Sequence, residues 1–124
     1  MKKVIVLCLI ALSTGCGRAK STADWVDQLK SKESAQRLHA VKALGERSRE
    51  AAVVTPALAL ALRDEDAFVR RDAAHALGKI GPEARATTPS VVAALRDRNP
   101  GVRKAAANAL KQIDPEAAMR ARVK

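Results

Sequence analysis

Residues 64–84 and residues 97–117 of this chain are two copies of one pattern. The first reads DEDAFVRRDAAHALGKIGPEA and the second DRNPGVRKAAANALKQIDPEA; 11 of the 21 aligned positions are identical, with no gap. The copies lie 33 residues apart, and repetition at a fixed period is typical of proteins built from stacked units. One such unit cannot bury its apolar face alone, so the sequence predicts a stack of similar units.

The same period extends upstream to a third copy. Thr22, Thr55 and Thr88 are equivalent, which divides the chain into repeats at residues 22–54, 55–87 and 88–117, with a basic tail at residues 118–124. Other positions recur in register: Leu29, Leu62 and Leu95; Arg37, Arg70 and Arg103; Leu44, Leu77 and Leu110. The 124 residues have room for one small domain.

Each repeat is expected to form two helices. Threonine followed by proline, as at Thr55 and Pro56, is typical of a helix N-terminus, because threonine accepts a hydrogen bond from a free amide and proline lacks one. We therefore expect a short helix A over about Pro56 to Arg63, and an equivalent start at Thr88.

Helix B, the second helix of each repeat, has one apolar stripe. Asp66 and Asn99 are positioned to cap it in the second and third copies. Its buried positions recur at helical spacing: Val69, Ala73, Ala76, Leu77 and Ile80, then Val102, Ala106, Ala109, Leu110 and Ile113. The pairs Gly81-Pro82 and Asp114-Pro115 are expected to end the helix.

This pattern resembles the HEAT repeat, in the short form named after phycobilisome lyases. The shared signature is present in the second copy as Leu62, Asp64, Val69-Arg70, Ala73-Ala74, Ala76-Leu77-Gly78 and Ile80-Gly81. The third copy lacks both glycines, and the first has Ser31 in place of the aspartate. Ankyrin and tetratricopeptide repeats, the nearest rivals, have a glycine-bearing hairpin or spaced aromatics that this sequence lacks. The resemblance implies an all-α fold, a right-handed α-solenoid of about three antiparallel helix pairs.

The N-terminal residues resemble a bacterial lipoprotein signal. Lys2 and Lys3 precede a nine-residue apolar run, VIVLCLIAL, that is too short to span a bilayer as a helix. In that family the signal, here residues 1–15, is removed, and the cysteine that follows, here Cys16, receives a diacylglycerol. Residues 16–21 would then be the lipid-anchor cysteine and a short tether. Ser13 stands where the family usually has leucine, so ordinary secretion and an uncleaved segment are the alternatives.

The charge and the cysteine content restrict the partners and the sources of stability. Without Lys2 and Lys3 the chain has 21 basic and 13 acidic side chains, a net charge of +8. Such a charge favours anionic partners but does not specify a fold. Cys8 and Cys16 are the only cysteines, so the repeats contain no disulfide and depend on their apolar core.

The resemblance also implies a structural ladder between repeats. Asp64 and Arg70 have the same six-residue interval as Asp97 and Arg103. In HEAT-like families such pairs connect neighbouring repeats, and charge-assisted hydrogen bonds at that joint would fix the stacking angle.

One face of helix B is the candidate partner-binding surface, because B helices line the concave side in solenoids of this resemblance. We call it the helix-B face, and its residues are Lys42, Phe68, Arg71, Asp72, His75, Lys79, Lys104 and Asn108. Phe68 lies off the apolar stripe and is expected to be exposed, as a binding anchor would be. A merely solvated face is the alternative. Trp25, the only tryptophan, aligns with Leu58 and Val91 and is expected in the core.

The sequence contains no pattern typical of a catalytic, cofactor or metal site. His39, Asp72 and His75 are the closest approach to a metal-ligand set, but equivalent positions on stacked helices lie roughly 10 Å apart. We therefore expect no metal, no cofactor and no enzymatic activity of the chain's own.

These observations favour a noncatalytic protein–protein interaction scaffold of the bacterial cell envelope. Its expected partners are an unknown envelope protein and the lipid bilayer, through acylated Cys16; Gly17 favours the outer membrane over the inner one. The alternatives are a basic HEAT-like nucleic-acid-binding protein, which export disfavours, and an accessory subunit of a lyase-type enzyme. A fourth copy would begin at Ala121, which is not a threonine, so only residues 115–124 are available to cover the third copy's stripe. We therefore expect either self-association through the C-terminal repeat or a partner that docks there.

Overall fold

The computed structural model describes residues 18–124 and is an α-solenoid of three helix pairs. The first pair is α1 (Thr22–Gln28) and α2 (Ser34–Gly45), the second α3 (Ala51–Ala61) and α4 (Ala67–Ile80), and the third α5 (Thr88–Ala94) and α6 (Pro100–Ile113). The 3₁₀ segments Ser48–Glu50 and Gly81–Thr87 join the pairs, and a short helix, α7 (Pro115–Arg120), follows. No strand occurs between residues 18 and 124. The predicted all-α solenoid is confirmed.

The helix pairs stack through their B helices, α2, α4 and α6. Helix α4 lies in the middle and packs against both α2 and α6, while each helix A packs on the helix B of its own pair. The turn inside each pair has the same length, at residues 29–33, 62–66 and 95–99. Connections this short favour antiparallel helices, since the chain has no room to travel back along the first helix.

The predicted caps and stripes of the B helices are confirmed. The Asp66 carboxylate accepts hydrogen bonds from the amides of Phe68 and Val69, and the Asn99 side chain does the same at α6. All ten stripe residues are buried. Helix α4 ends at Ile80 because Gly81 adopts a positive φ of 75°, a conformation that favours glycine.

Two glycines set the distance between neighbouring B helices. A Cβ added to Gly45 would lie 2.9 Å from Ala76 Cβ, and one added to Gly78 would lie 2.9 Å from Ala109 Cα. Both distances are shorter than packed carbon atoms allow. The absence of a side chain at these positions therefore permits α2 to approach α4, and α4 to approach α6.

The predicted threonine caps of helix A are wrong. Helix α3 begins at Ala51, so Thr55 and Pro56 lie inside it, and the Thr55 hydroxyl donates to the Ala51 carbonyl at 2.8 Å. Likewise, the Thr88 hydroxyl donates to the Arg85 carbonyl and does not accept an amide. Val54 is fully buried, and its burial explains why the helix starts before the proline. Threonine tolerates a helix interior because its hydroxyl can bond the carbonyl four residues back.

The C-terminal boundary also differs from the sequence division. Helix α7 crosses the predicted limit between residues 88–117 and the tail at residues 118–124, and Ala117 and Ala118 are both buried in it. Asp114 caps this helix by accepting the Ala117 amide at 3.0 Å. The predicted signal, residues 1–15, and the predicted lipid-anchor residue, Cys16, lie outside the described residues.

Candidate partner-binding face

The helix-B face contains a trough that crosses all three B helices. Its first part lies between α2 and α4 and is lined by Lys42, Glu46, Asp72, His75 and Lys79. Its second part lies between α4 and α6 and is lined by His75, Lys79, Asn108 and Gln112. The two parts share His75 and Lys79, so they form one surface. The structure thus brings together five of the eight residues predicted for this face.

The charges in this trough partly neutralise one another. Asp72 accepts a hydrogen bond from Arg71 Nε at 3.0 Å and lies 3.9 Å from Lys42 Nζ. Lys79 donates to the Glu46 carboxylate across the α2–α4 joint. These contacts fix the side chains with alternating charge along the trough and leave the face basic overall, as the sequence indicates.

Phe68 and Arg71 form a pair on the helix-B face in which the ring is exposed and the arginine is partly exposed. The Phe68 side chain is 59% exposed, and the Arg71 guanidinium lies over its ring, 5.1 Å from the centroid. Equivalent positions in the other copies are Ala35 and Gly101, so this aromatic ring stands between small residues. Lys104 is also exposed, and within residues 18–124 it has no carboxylate within 4.0 Å.

Trp25 occupies an intermediate position. It packs against the core but is only partly buried. Its ring meets the His39 ring edge-on, at 5.0 Å between centroids. Lys20 Nζ lies 4.5 Å above the same ring. The expected core position is therefore correct only in part, and the surface of the first repeat has an aromatic cluster that the sequence analysis did not predict.

The ladder joins repeats by a pairing different from the six-residue interval. Arg37 donates through Nε and Nη2 to both Asp64 oxygens, at 2.8 and 3.0 Å, and Arg70 does so to Asp97, at 2.9 and 3.1 Å. Each side-chain pair links one repeat to the next. Within a repeat, Arg70 instead donates Nη1 to the Asp64 backbone carbonyl at 2.8 Å. Sequence reasoning missed Arg37, although its register with Arg70 and Arg103 was a signal for it.

The ladder changes the ionisation of its members. Burial raises the pKa of Asp97, but the hydrogen bonds from Arg70 and the Asn99 amide outweigh that effect, so its pKa lies below the ordinary value of 3.8. The hydrogen bond to Asp64, stronger than the opposing effect of burial, raises the pKa of Arg37. Each shift favours the charged form of its group, Asp97 in its pair with Arg70 and Arg37 in its pair with Asp64. The charged form is the one that a bidentate pair requires.

A second surface, on the helix-A side, is apolar. A groove there is lined by Val26 of α1, by Leu29 in the turn after it, and by Val53, Pro56 and Leu60 of α3. Val53 and Leu60 are largely exposed, and the residues 33 positions downstream, Ala86 and Ala93, are both alanine. Sequence reasoning missed this groove because it followed only the face of helix B.

The part of the chain that the structure describes contains no group of three or more His, Cys, Asp or Glu side chains arranged to hold a metal ion. Within the same residues, no helix is both long and apolar enough to cross a membrane.

Comparison with known proteins agrees with this geometry. A family model described as HEAT repeats matches residues 22–88, and a second, described as HEAT repeat, matches residues 88–116. Among solved structures, the complex of CpcE and CpcF of phycocyanin lyase from Nostoc sp. PCC7120 is similar over 87% of this chain and 42% of that chain, with 29% identity and a TM-score of 0.74.

A second similar structure is that of an engineered protein, which matches over 83% of this chain and 50% of its own, with 25% identity and a TM-score of 0.65. The chain thus spans half or less of the length of these two solved chains. No curated protein sequence matches it significantly.

Proposed function

The chain belongs to the HEAT-repeat family, and we propose that it is a noncatalytic scaffold that binds another protein on its helix-B face. The observation that carries this proposal is the trough across α2, α4 and α6. It offers cationic, anionic and amide groups in a row, and the exposed Phe68 lies four residues before Asp72 on α4. Interfaces commonly combine an aromatic or arginine anchor with a polar surround, and Phe68 with Arg71 provides that anchor.

We further propose that the scaffold is held at a membrane of the bacterial cell envelope through a lipid on Cys16. The support is the signal-like pattern of residues 1–16 and the short connection to the solenoid, whose first helix is capped by Ser21. Ser21 is the fifth residue after Cys16, so an extended tether would reach about 17 Å. Arg18 and Lys20 in the tether are basic and would favour contact with anionic headgroups.

Intact mass spectrometry tests the anchor. The full sequence is expressed in a Gram-negative host, beside a Cys16→Ser variant, and both are recovered from membrane and soluble fractions. We expect the parent to begin at Cys16 with added acyl mass and to fractionate with membranes, and the variant to lack that mass. An unmodified, soluble parent would contradict the lipid anchor without affecting the assignment of the helix-B face.

A charge-reversal pair tests the face. Replacing Arg71 and Lys104 by Glu should weaken the capture of an envelope protein by the immobilised, folded chain, because both cations lie on the helix-B face. The matched control replaces Arg63 and Arg96, two exposed arginines outside that face, by Glu. Equal capture by both double variants, with unchanged circular dichroism, would remove the helix-B face from the proposal.

A second candidate function is that of an accessory subunit of a lyase-type enzyme. The similarity to the phycocyanin lyase complex, at 29% identity, favours it. It predicts that the chain forms a stoichiometric complex with a second lyase subunit and raises the yield of pigment-loaded product. Saturable binding of an envelope protein, with no effect on pigment attachment, would favour the scaffold.

A further inference from the structure

Arg103 makes the backbone contacts that Arg37 and Arg70 make in the ladder, but not their contacts with an aspartate. In all three arginines, Nη1 donates to two carbonyls of the preceding turn: at 2.9 and 3.1 Å for Arg37, 2.8 and 3.1 Å for Arg70, and 2.8 and 3.2 Å for Arg103. In the first two, Nε and Nη2 bind the next repeat's aspartate. We call the corresponding Nε and Nη2 edge of Arg103 the Arg103 fork.

The Arg103 fork has no acceptor among residues 18–124. Within residues 18–124, neither Nε nor Nη2 of Arg103 has a hydrogen-bond partner, and no carboxylate lies within 4.0 Å. Residues 1–17 contain no Asp or Glu. Arg37 and Arg70 are 7% and 6% exposed, whereas Arg103 is exposed. The backbone contacts therefore hold its guanidinium in a carboxylate-binding position that faces solvent.

The fork belongs to a wider open face of α6. Arg103, Ala107 and Lys111 are the equivalents of Arg70, Ala74 and Gly78. Arg70 binds Asp97 in the turn before α6, and Gly78 lies against Ala109 of α6. Helix α7 packs on the end of α6, and Lys111 Nζ donates to the Lys124 carbonyl, yet both Arg103 and Lys111 are exposed. The two cations are eight residues apart, or about 12 Å along the helix.

We infer that this face, defined by Arg103, Ala107 and Lys111 and called the α6 edge, binds an acidic segment of a partner protein, with a carboxylate in the Arg103 fork. Charge complementarity supports this occupant. Residues 85–124 contain nine basic and three acidic side chains, so +6 of the +8 charge of residues 18–124 lies in this part of the chain. A planar guanidinium with two parallel donors matches a carboxylate in geometry as well as in charge.

Continued stacking of a repeat does not fit the α6 edge. The stack needs glycine where B helices meet, as at Gly45 and Gly78, and the third equivalent is Lys111. A second copy that stacked on α6 in the same register would also present Ser31, and not an aspartate, to the Arg103 fork. The carboxylate must therefore come from a partner that docks in another way. This inference goes beyond the proposed function because it concerns a surface separate from the trough.

A labelled peptide tests the inference by fluorescence anisotropy on the full chain. The probe is a blocked peptide with two aspartates separated by three alanines, because an extended backbone then places the carboxylates about 13 Å apart. The control peptide has asparagine at both positions. The matched variants are Arg103→Gln, in the fork, and Arg96→Gln, which removes the same charge from an exposed position in the same repeat.

We expect the aspartate peptide to bind at least about tenfold more tightly than the asparagine peptide, and Arg103→Gln to lose about tenfold or more in affinity. Arg96→Gln should stay within about twofold. Phe68→Ala, on the helix-B face, should also leave the affinity within about twofold. This control shows whether peptide binding depends on the α6 edge or on the face to which the proposed function is assigned. Equal losses for the two arginine variants, equal binding of the two peptides, or no binding to the parent would overturn the inference. Arg103-dependent self-association in sedimentation would overturn it too, since the occupant would then be a second copy.

Discussion

The ladder residues show how one pair of side chains can fix the register of two repeats. Arg70 and Asp97 bury nearly all of their side chains, at 7% and 12% exposure, and each is also hydrogen-bonded to backbone. An ion pair taken out of water contributes little by itself, but removing one partner leaves an uncompensated buried charge. The pair therefore acts less as a source of stability than as a restriction on how α4 and α6 can align.

Asp97→Ala should lower the free energy of unfolding by about 3 kcal/mol or more, because it leaves the Arg70 guanidinium buried without a carboxylate. The change in the free energy of unfolding is measured by urea denaturation, monitored by circular dichroism. The matched control is Asp27→Ala, whose ion pair with Lys30 is about 80% exposed on both sides and should contribute less than about 1 kcal/mol. Equal effects of the two substitutions would show that the buried pair has no special role.

Acid should destabilise the solenoid through the same aspartate. The folded pKa of Asp97 is below 3.8, so its contribution is complete above the unfolded value and is lost as the pH falls through the folded value. We expect the urea midpoint to be nearly constant from pH 7 to about pH 5 and to fall below about pH 4. Asp97→Asn should flatten that acid limb, and an acid limb as steep as that of the parent would assign the titration to other carboxylates.

The helices show which signals act locally and which depend on packing. Asp66 and Asn99 could be predicted as caps because a cap needs only its own next two or three amides. Thr55 could not be placed correctly from Thr-Pro alone, because the burial of Val54 extends the helix upstream of the proline. The sequence thus specified the B helices and their stripes better than the starts of the A helices.

In the candidate site, too, some features could be predicted from local sequence and others depend on contacts between repeats. The positions of the helix-B face followed from helical periodicity, and five of the eight meet in the trough. The pairing of the ladder did not follow from it, since Arg37 and Asp64 are 27 residues apart and spacing within a repeat does not report contacts between repeats. The exposed apolar groove at Val53 and Leu60 was missed for a related reason, because these two apolar residues do not recur at the 33-residue period. The residues equivalent to Val53 are Lys20 and Ala86, and those equivalent to Leu60 are Asp27 and Ala93.

Gly78→Ala should destabilise the fold even though alanine is the better helix former. The added Cβ would lie 2.9 Å from the Ala109 backbone, and such overpacking costs about 1–3 kcal/mol, more than the roughly 1 kcal/mol gained in helix propensity. We expect a net loss of up to about 2 kcal/mol in the free energy of unfolding, measured in urea. Lys111→Ala, at the equivalent position of α6, should change stability by less than about 0.5 kcal/mol because that position is exposed. If the Gly78→Ala variant were more stable than the parent, α4 and α6 would be able to move apart without a loss of stability.

At the scale of the whole molecule, stability is distributed unevenly along the stack. Most of the large, fully buried side chains lie in α3 to α6; α2 contributes Val41 and Leu44, and α1 contributes none. In a solenoid each repeat is stabilised by its own core and by its neighbours, so a repeat with a small core and one neighbour is the least stable part. The first pair has only the second pair as a described neighbour, and its core is small because α1 has only seven residues and its Trp25 is half-buried. We therefore expect the first pair to be the least stable part of the solenoid.

Trp25 is the only tryptophan, so its fluorescence reports the first pair alone, whereas circular dichroism reports all helices. We expect the fluorescence midpoint in urea to fall about 0.5 M below the dichroism midpoint, because a difference of roughly 1 kcal/mol between the first pair and the rest corresponds to such a shift. Leu44→Ala should widen the gap by weakening the first pair, and Leu110→Ala should narrow it by weakening the third. Coincident transitions in the parent and in both variants would mean that the three pairs unfold as one cooperative unit. The close packing between B helices at Gly45 and Gly78 would then stabilise the first repeat enough to compensate for its small core.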